Sequence, residues 1–247
     1  MNKLKDKMIF IVIFCILLFG CVMLMLYGSG RGILLDIEIS GYKIQLDDTI
    51  QEVYDNGLVL CKVDGTIIDL NSCEEMKGKT YDIKTLDIGV PADDGKKAIP
   101  SGMTVYTYNN SITSQPLAKC KIYYMSVSDS HSDEVSITVN GKDIFQTELS
   151  EFVSHLEELG ISFDEDEKSE FLNSSSEEFL MKRQGNFWYH LNSGKKRVDY
   201  PDPNDFFDKD RNYDNKAYEA ARKEAEKNAG FGIAKFEYEK LIEKSYK

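Results

Sequence analysis

The sequence predicts an α+β protein with an N-terminal transmembrane helix, a folded part built mainly from antiparallel sheets, and a helical C-terminal tail. Short alternating apolar segments are separated by Ser-Gly, Asn-Gly and Asp-Gly pairs, which indicates strands joined by tight turns. Amphipathic stretches that end at glycine indicate helices that pack on those sheets. A strand-turn-strand-helix pattern occurs twice, 100 residues apart, and indicates two related units.

The segment from Met8 to Tyr27 is an apolar run of twenty residues without a charge. As an α-helix it would measure about 30 Å, which matches the hydrocarbon core of a bilayer. Lys3, Lys5 and Lys7 precede it, and positive charge favours the cytoplasmic side of a membrane. We therefore expect a cytoplasmic N-terminus over residues 1–7, a single plasma-membrane span over residues 8–27, and an extracytoplasmic remainder.

Three interpretations of this apolar segment stay open. An uncleaved signal anchor is favoured, because the apolar region of a cleaved secretory signal is normally shorter. The second interpretation is cleavage near Gly28 to Gly30. The third is a lipoprotein signal, because Leu18 to Cys21 resembles a lipobox in which Cys21 is lipidated, although Phe19 is bulky for that motif and the apolar run continues beyond it.

The composition is acidic, with 30 basic and 42 acidic residues and a formal net charge of −12. Nucleic-acid binding depends on neutralising phosphates with lysine and arginine, so a chain of this charge is not expected to bind nucleic acid. Apolar residues make up 42% of the chain and aromatic residues 11%, which is enough for a buried core.

The internal repeat relates Ile37–Ile44 to Ile137–Ile144. Both copies alternate apolar and polar residues around a turn, Ser40-Gly41 in the first and Asn140-Gly141 in the second. Asn-Gly favours a type I′ turn because both central residues need a positive φ. The repeat therefore predicts two β-hairpins.

A helix is expected after each hairpin. In the first copy Asp48 to Gln51 has the pattern of a capping box and Gly57 ends the helix. In the second copy an apolar stripe ends at Gly160 and consists of Phe152, Val153, Leu156 and Leu159.

Between the repeats, residues 58–127 are rich in strand and turn signals, with turns expected at Asp94-Gly95, Pro100–Gly102 and Asn109-Asn110. A polar break at residues 128–133 suggests a first α+β unit over 33–128 and a second over 133–200. The alternative is that both repeats share one continuous core.

In the second unit, Phe187–Leu191 and Val198–Tyr200 are expected to form a hairpin around Asn192–Gly194. Residues 201–247 are predicted to form an acidic loop and a helical tail. The tail is rich in alanine, glutamate and lysine, and Gly230 and Gly232 are expected to divide its helix.

The acidic loop contains a weak candidate for a calcium site. Its oxygen-bearing side chains have the spacing of an EF-hand loop followed by a glutamate on a helix, and they are Asp208, Asp210, Asn212, Asp214 and Glu219. Tyr213 occupies the place where that loop needs glycine. The alternative is an acidic turn in which Asp214 caps the next helix.

Beyond the apolar segment the chain has three cysteines, so at most one disulfide can form. Cys61 and Cys73 are the closest pair along the chain, but burial of Cys61, Cys73 and Cys120 as core thiols is the favoured interpretation.

No catalytic residue and no cofactor site is predicted. His131, His155 and His190 are scattered, without the neighbouring ligands that zinc requires. The Ser-x-x-Lys spacings that begin at Ser40 and Ser193 fall in predicted turns. Acidic pairs such as Asp164 with Glu167 are expected by chance in so acidic a chain.

The anchor, the lipobox-like residues and the repeated strand-Gly-strand-helix unit resemble the uncharacterised membrane-anchored or lipoprotein-like extracytoplasmic proteins of low-GC Gram-positive bacteria. That resemblance implies no mechanism. The favoured hypothesis is a non-catalytic binding or envelope-assembly module, whose partner is an envelope protein or ligand. The alternatives are a calcium-responsive ectodomain and a cell-wall hydrolase with an unrecognised site.

Overall fold

The computed structural model describes residues 32–93, 95–131, 134–174, 176–195, 201–207, 213–228 and 231–242. These residues contain four α-helices, which are α1 (Ile50–Asp55), α2 (Leu149–Glu158), α3 (Glu165–Asn173) and α4 (Asn215–Asn228). They also contain eleven strands: β1 (Ile37–Ile39), β2 (Tyr42–Ile44), β3 (Val59–Cys61), β4 (Tyr81–Pro91), β5 (Ala98–Tyr108), β6 (Lys121–Ser128), β7 (Ile137–Val139), β8 (Lys142–Asp143), β9 (Phe179–Gln184), β10 (Phe187–Lys195) and β11 (Phe231–Lys240). The predicted membrane segment and Cys21 lie outside the described residues.

The strands form two antiparallel sheets, so the predicted α+β class is confirmed. The small sheet has the order β2-β1-β7-β8, and the large sheet has the order β3-β4-β5-β6-β11-β10-β9. Strand β11, from the end of the chain, lies between β6 and β10 and pairs with both. The large sheet is therefore built from distant parts of the sequence.

One hydrophobic core joins these elements. On the large sheet, alternate residues such as Tyr189, Leu191 and Phe236 are fully buried. The ring of Phe152 on α2 meets the edge of the Phe236 ring at a centroid distance of 6.1 Å. Residues of the small sheet such as Ile37 belong to the same core. We call this buried side of the large sheet the inner face, and the opposite side the outer face.

Both predicted hairpins are present. Ser40 and Gly41 have φ values of 48° and 87°, and Asn140 and Gly141 have φ values of 49° and 82°, as a two-residue turn with positive φ requires. The two hairpins also pair with each other, because Ile37 on β1 faces Val139 on β7. The repeat therefore builds a single sheet from two copies.

The predicted boundary at residues 128–133 does not separate two cores. Elements on both sides of it contribute to both sheets and to one hydrophobic core. The structure supports the alternative of a continuous core, which both repeats share.

The helices after the hairpins begin and end close to the expected residues. The capping box of α1 uses Thr49 and Glu52, one residue later than predicted, since the side chain of Asp48 instead accepts a hydrogen bond from the Gln45 amide at 2.7 Å. Gly57 follows α1 with a φ of 94°, and Gly160 follows α2 with a φ of 95°.

Two predicted turns lie inside strands. Pro100–Gly102 is part of β5, where a bulge between the Ile88 and Gly89 pairings accommodates the extra residues and gives Gly102 a φ of 76°. Asn192–Gly194 is part of β10, which continues to Lys195 and pairs with β11. Strand β10 instead forms a hairpin with β9 through a turn at residues 185–186, and Val198–Tyr200 lies outside the described residues.

The prediction of a helical tail is correct for the first of its two segments and wrong for the second. Asn215–Asn228 is a helix, but Phe231–Lys240 is strand β11. The apolar residues of this segment also alternate with charged ones, and burial of Phe236 and Tyr238 on the inner face stabilises the strand over the helix.

The first described residues are fastened to the large sheet by a tyrosine pair, Tyr189 and Tyr238. The hydroxyls of Tyr189 and Tyr238 donate to the carbonyl oxygen of Ile33 at 2.6 Å and 3.0 Å. They also accept hydrogen bonds from the amides of Ile33 at 2.8 Å and Leu35 at 3.2 Å. These four hydrogen bonds attach Ile33 and Leu35 to the inner face of the large sheet.

Candidate functional site

The outer face of the large sheet carries a cluster of five partly exposed tyrosines. We call these residues the tyrosine cluster: Tyr81, Tyr106, Tyr108, Tyr123 and Tyr124. The rings of Tyr106 and Tyr124 stack with centroids 4.7 Å apart. Tyr123 meets the edge of Tyr81 at 5.5 Å and of Tyr108 at 6.2 Å. Together the rings form an aromatic surface across three strands.

A bulge in β6 creates this surface. Successive residues of a regular strand point to opposite faces, so Tyr123 and Tyr124 would normally be separated by the sheet. The pairing of β5 with β6 shifts between Tyr106 and Thr107, so that Tyr106 faces Tyr124 and Thr107 faces Ile122. Tyr123 is the extra residue, and both adjacent tyrosines contact rings of the same cluster.

One edge of the tyrosine cluster carries an ion pair. Tyr108 donates from its hydroxyl to Asp47 Oδ1 at 3.4 Å, and Asp47 pairs with Lys240. Partial burial, together with the Asp47 carboxylate, raises the pKa of Tyr108 to about 12. The hydroxyl is therefore neutral at physiological pH and can donate a hydrogen bond to a bound ligand or accept one from it.

On the other side of the cluster, Glu237 of β11 contacts three polar side chains of the outer face. Tyr124 donates a hydrogen bond to Glu237, Lys235 Nζ lies 2.8 Å from Oε1, and His190 Nδ1 lies 3.6 Å from Oε2. Hydrogen bonds from His190, Lys235 and Tyr124, of which the bond from His190 has the largest effect, lower the pKa of Glu237 to about 2. Burial acts in the opposite direction and raises this pKa. This carboxylate is ionised at neutral pH.

The substitution Glu237→Gln is expected to lower the free energy of unfolding by about 2 to 3 kcal/mol at pH 7. The folded-state pKa of about 2 lies below the ordinary value of 4.5, so the stabilisation is complete above pH 4.5 and is lost as the pH falls toward 2. Urea unfolding at a series of pH values measures this effect. A difference between Glu237→Gln and wild type that is the same at pH 2.5 as at pH 7 would contradict the assignment.

At the β9 end of the sheet, α3 and the outer face enclose a pocket of about 400 Å³. We call it the acidic pocket, since three carboxylates meet apolar walls, and its lining is Glu167, Glu170, Phe171, Glu178, Phe179, Met181 and Trp188. Phe179 is 66% exposed and Met181 50% exposed. The guanidinium of Arg183 lies 5.9 Å from the centre of the Trp188 ring.

A second depression, of about 540 Å³, lies beside α1 and is lined in part by Tyr54, Leu70 and Cys73. The Tyr54 hydroxyl donates to the Ile68 carbonyl at 2.7 Å and accepts from the Leu60 amide at 3.1 Å. This hydroxyl therefore links two backbone segments, at Leu60 and at Ile68, beside the depression.

The candidate calcium site is only partly within the described residues. Asp208, Asp210 and Asn212 lie outside them, while Asp214 accepts a hydrogen bond from the Ala217 amide at 2.9 Å and so caps α4, where Glu219 also lies. This supports the interpretation of Asp214 as a helix cap. The described residues contain no cluster of three or more potential metal ligands, and calcium binding stays a prediction.

The three cysteines do not form a disulfide. Cys61 and Cys120 are buried, as expected of core residues, and Cys73 is partly exposed. Burial raises the pKa of the Cys61 thiol to about 11. This thiol is therefore protonated at neutral pH.

The remaining candidate residues have structural partners. His155 Nε2 lies 2.9 Å from the Val139 carbonyl oxygen. Ser193 is buried in β10, where its hydroxyl accepts from the Glu178 amide at 3.0 Å, and Ser40 forms the first hairpin turn. Asp164 caps α3 by accepting from the Asp166 and Glu167 amides.

Sequence reasoning missed both the tyrosine cluster and the acidic pocket. Tyr106 and Tyr108 are two residues apart in a predicted strand, which places them on one face, and this signal was available. The bulge at Tyr123 and the outermost position of β9 have no local sequence signal that would have revealed them.

Comparison of the chain with protein-family models, with curated proteins and with solved structures finds no match. Within the described ranges, no helix has the length and apolar character needed to cross a membrane.

Proposed function

We propose that this protein is a non-catalytic binding module, tethered to the outer side of the plasma membrane by residues 8–27, whose tyrosine cluster binds a glycan of the cell envelope. The observation that carries the proposal is the bulge that turns Tyr123 and Tyr124 toward the same surface as three other tyrosines. A bulge that re-aims a side chain is typical of functional positions on a sheet.

The chemistry of the surface suits a sugar ring. A pyranose has an apolar face of C–H groups and a rim of hydroxyls, and a tyrosine likewise combines an apolar ring with a polar hydroxyl. Asp47 and Glu237 at the two sides of the cluster supply acceptors next to the rings. The net charge of −12 favours neutral or amino sugars over anionic polymers.

The tether would hold the folded part close to the membrane. The tyrosine pair fixes Ile33 to the sheet, and the five peptide units that separate Tyr27 from Gly32 can span at most about 17 Å. A ligand bound there would therefore be an envelope component within reach of the outer leaflet.

Glycan hydrolysis is less well supported than glycan binding. A glycosidase needs one carboxyl group with a raised pKa as its general acid. The carboxyl group of Glu237 next to the cluster has a pKa of about 2, so it carries no proton at neutral pH. Glu237 therefore lacks the property of a general acid, and we propose binding without turnover.

The test is isothermal titration of the full-length protein, in a mild detergent, with soluble peptidoglycan strands. Wild type is expected to bind, and Tyr106→Ala to bind roughly tenfold more weakly, because it removes the ring that stacks on Tyr124. Tyr42→Ala is the matched control, since Tyr42 is 39% exposed on β2, outside the cluster. No heat with wild type, or an equal loss in both variants, would overturn the proposal.

A further inference from the structure

Strand β9 is the outermost strand of the large sheet. Its register on β10 is continuous, and the Ser193 amide donates to the Glu178 carbonyl at 2.9 Å, which identifies residues 178 and 193 as a hydrogen-bonded pair. Because such pairs alternate along an antiparallel ladder, the backbone groups of Phe179, Met181 and Arg183 point away from β10. No described strand pairs with that side of β9.

The Phe179 end of this edge, from Phe179 to Met181, contains no charged residue and no proline. Exposed edge strands are normally shielded by charges, proline or bulges. Lys182 and Arg183 lie toward the turn, but Phe179 and Met181 at the other end expose 66% and 50% of their surface. An apolar edge with unpaired backbone groups is the arrangement that binds a peptide as an additional strand.

The acidic pocket beside this edge is suited to a basic side chain. Three glutamates line it together with the rings of Phe179 and Trp188. A lysine or arginine can bury its aliphatic part against such rings and keep its charge near carboxylates. Arg183 already places its guanidinium over the Trp188 ring, which shows that this indole accepts a cation.

We propose that the free edge of β9 binds an extended segment of a partner protein as an eighth strand, with a lysine or arginine of that segment in the acidic pocket. The partner is a different protein, because Arg183, the outer-face cation that a second copy of β9 would offer to this pocket, already lies over its own Trp188 ring. This site lies on β9 and α3, so it can be tested independently of glycan binding to the tyrosine cluster.

Trp188 is the only tryptophan of the chain and lines the pocket, so its fluorescence reports on this site in the full-length protein. The probe is a short synthetic peptide in which lysine alternates with valine or threonine. We expect a saturable change in Trp188 fluorescence, and about tenfold weaker binding when glutamate replaces lysine. No saturable change at millimolar peptide, or equal binding of both peptides, would overturn the proposal.

Strand addition is tested separately by removing a single donor. Met181→Pro deletes the amide that points to the free edge and is expected to weaken peptide binding about tenfold more than Met181→Ala, which removes the same side chain but keeps that amide. N-methylation of alternate peptide amides provides a test that does not depend on the fold of a variant. One of the two methylated registers should abolish binding, and binding of both registers would refute strand addition.

Sedimentation of the full-length protein without peptide checks the identity of the occupant. A monomer agrees with the proposal. Dimerisation that Met181→Pro abolishes would assign the edge to a second copy of this chain and overturn the proposal.

Discussion

Replacing Tyr238 by alanine is expected to lower the free energy of unfolding by about 4 kcal/mol, because the ring is fully buried and leaves a cavity. The ring stacks on Tyr189 at a centroid distance of 5.4 Å and on Phe187 at 5.5 Å. Its hydroxyl also fastens the chain at Ile33 and Leu35. Urea unfolding of the full-length protein, followed by Trp188 fluorescence, measures the loss.

Tyr238→Phe is the matched control for this experiment. It keeps both ring contacts and removes only the hydroxyl, so we expect a loss of about 1 to 2 kcal/mol. The Ile33 carbonyl still accepts from Tyr189 at 2.6 Å in this variant. Equal losses in Tyr238→Phe and Tyr238→Ala would show that the hydroxyl, not ring packing, dominates the stability at this position.

The second large effect is expected at the contact between helix α2 and the large sheet. Phe152 is fully buried and meets Phe236 edge to face at 6.1 Å. Phe152→Ala should lower the free energy of unfolding by about 4 kcal/mol, while Phe152→Leu, which fills most of the space, should cost about 1.5 kcal/mol. Thermal and urea unfolding measure both variants, and a loss below about 1 kcal/mol for alanine would mean that the helix is not held by this ring.

The parts of the fold that can be predicted from a short stretch of sequence are those whose conformation depends on the residues of that stretch alone. The Asn140-Gly141 turn and the ends of α1 and α2 at Gly57 and Gly160 depend on positive φ values, which few residues other than glycine and asparagine adopt at low cost. Each of these predictions is confirmed.

The predictions that are wrong depend on contacts between distant residues. The segment from Phe231 to Lys240 has apolar residues at helical spacing and at strand spacing, and only its insertion between β6 and β10 decides for the strand. The pairing of β1 with β7 joins residues that are 98 to 102 positions apart, so the boundary near residue 130 could not be judged from local composition.

The candidate site was predictable to a smaller extent. The alternation of Tyr106 and Tyr108 places two rings together, whereas the arrival of Tyr124 on that face depends on a bulge that no turn residue marks. Glu237 and His190 come from β11 and β10, and their proximity follows from strand order alone.

The position of β11 also determines when this protein can fold. Its central place between β6 and β10 means that a growing chain cannot close the large sheet until residues 231–240 have left the ribosome. Before that moment the earlier strands of the large sheet can form only two separate parts, β3 to β6 and β9 with β10, and each part lacks its β11 neighbour. Completion of the native sheet is therefore a late event in the synthesis of this protein.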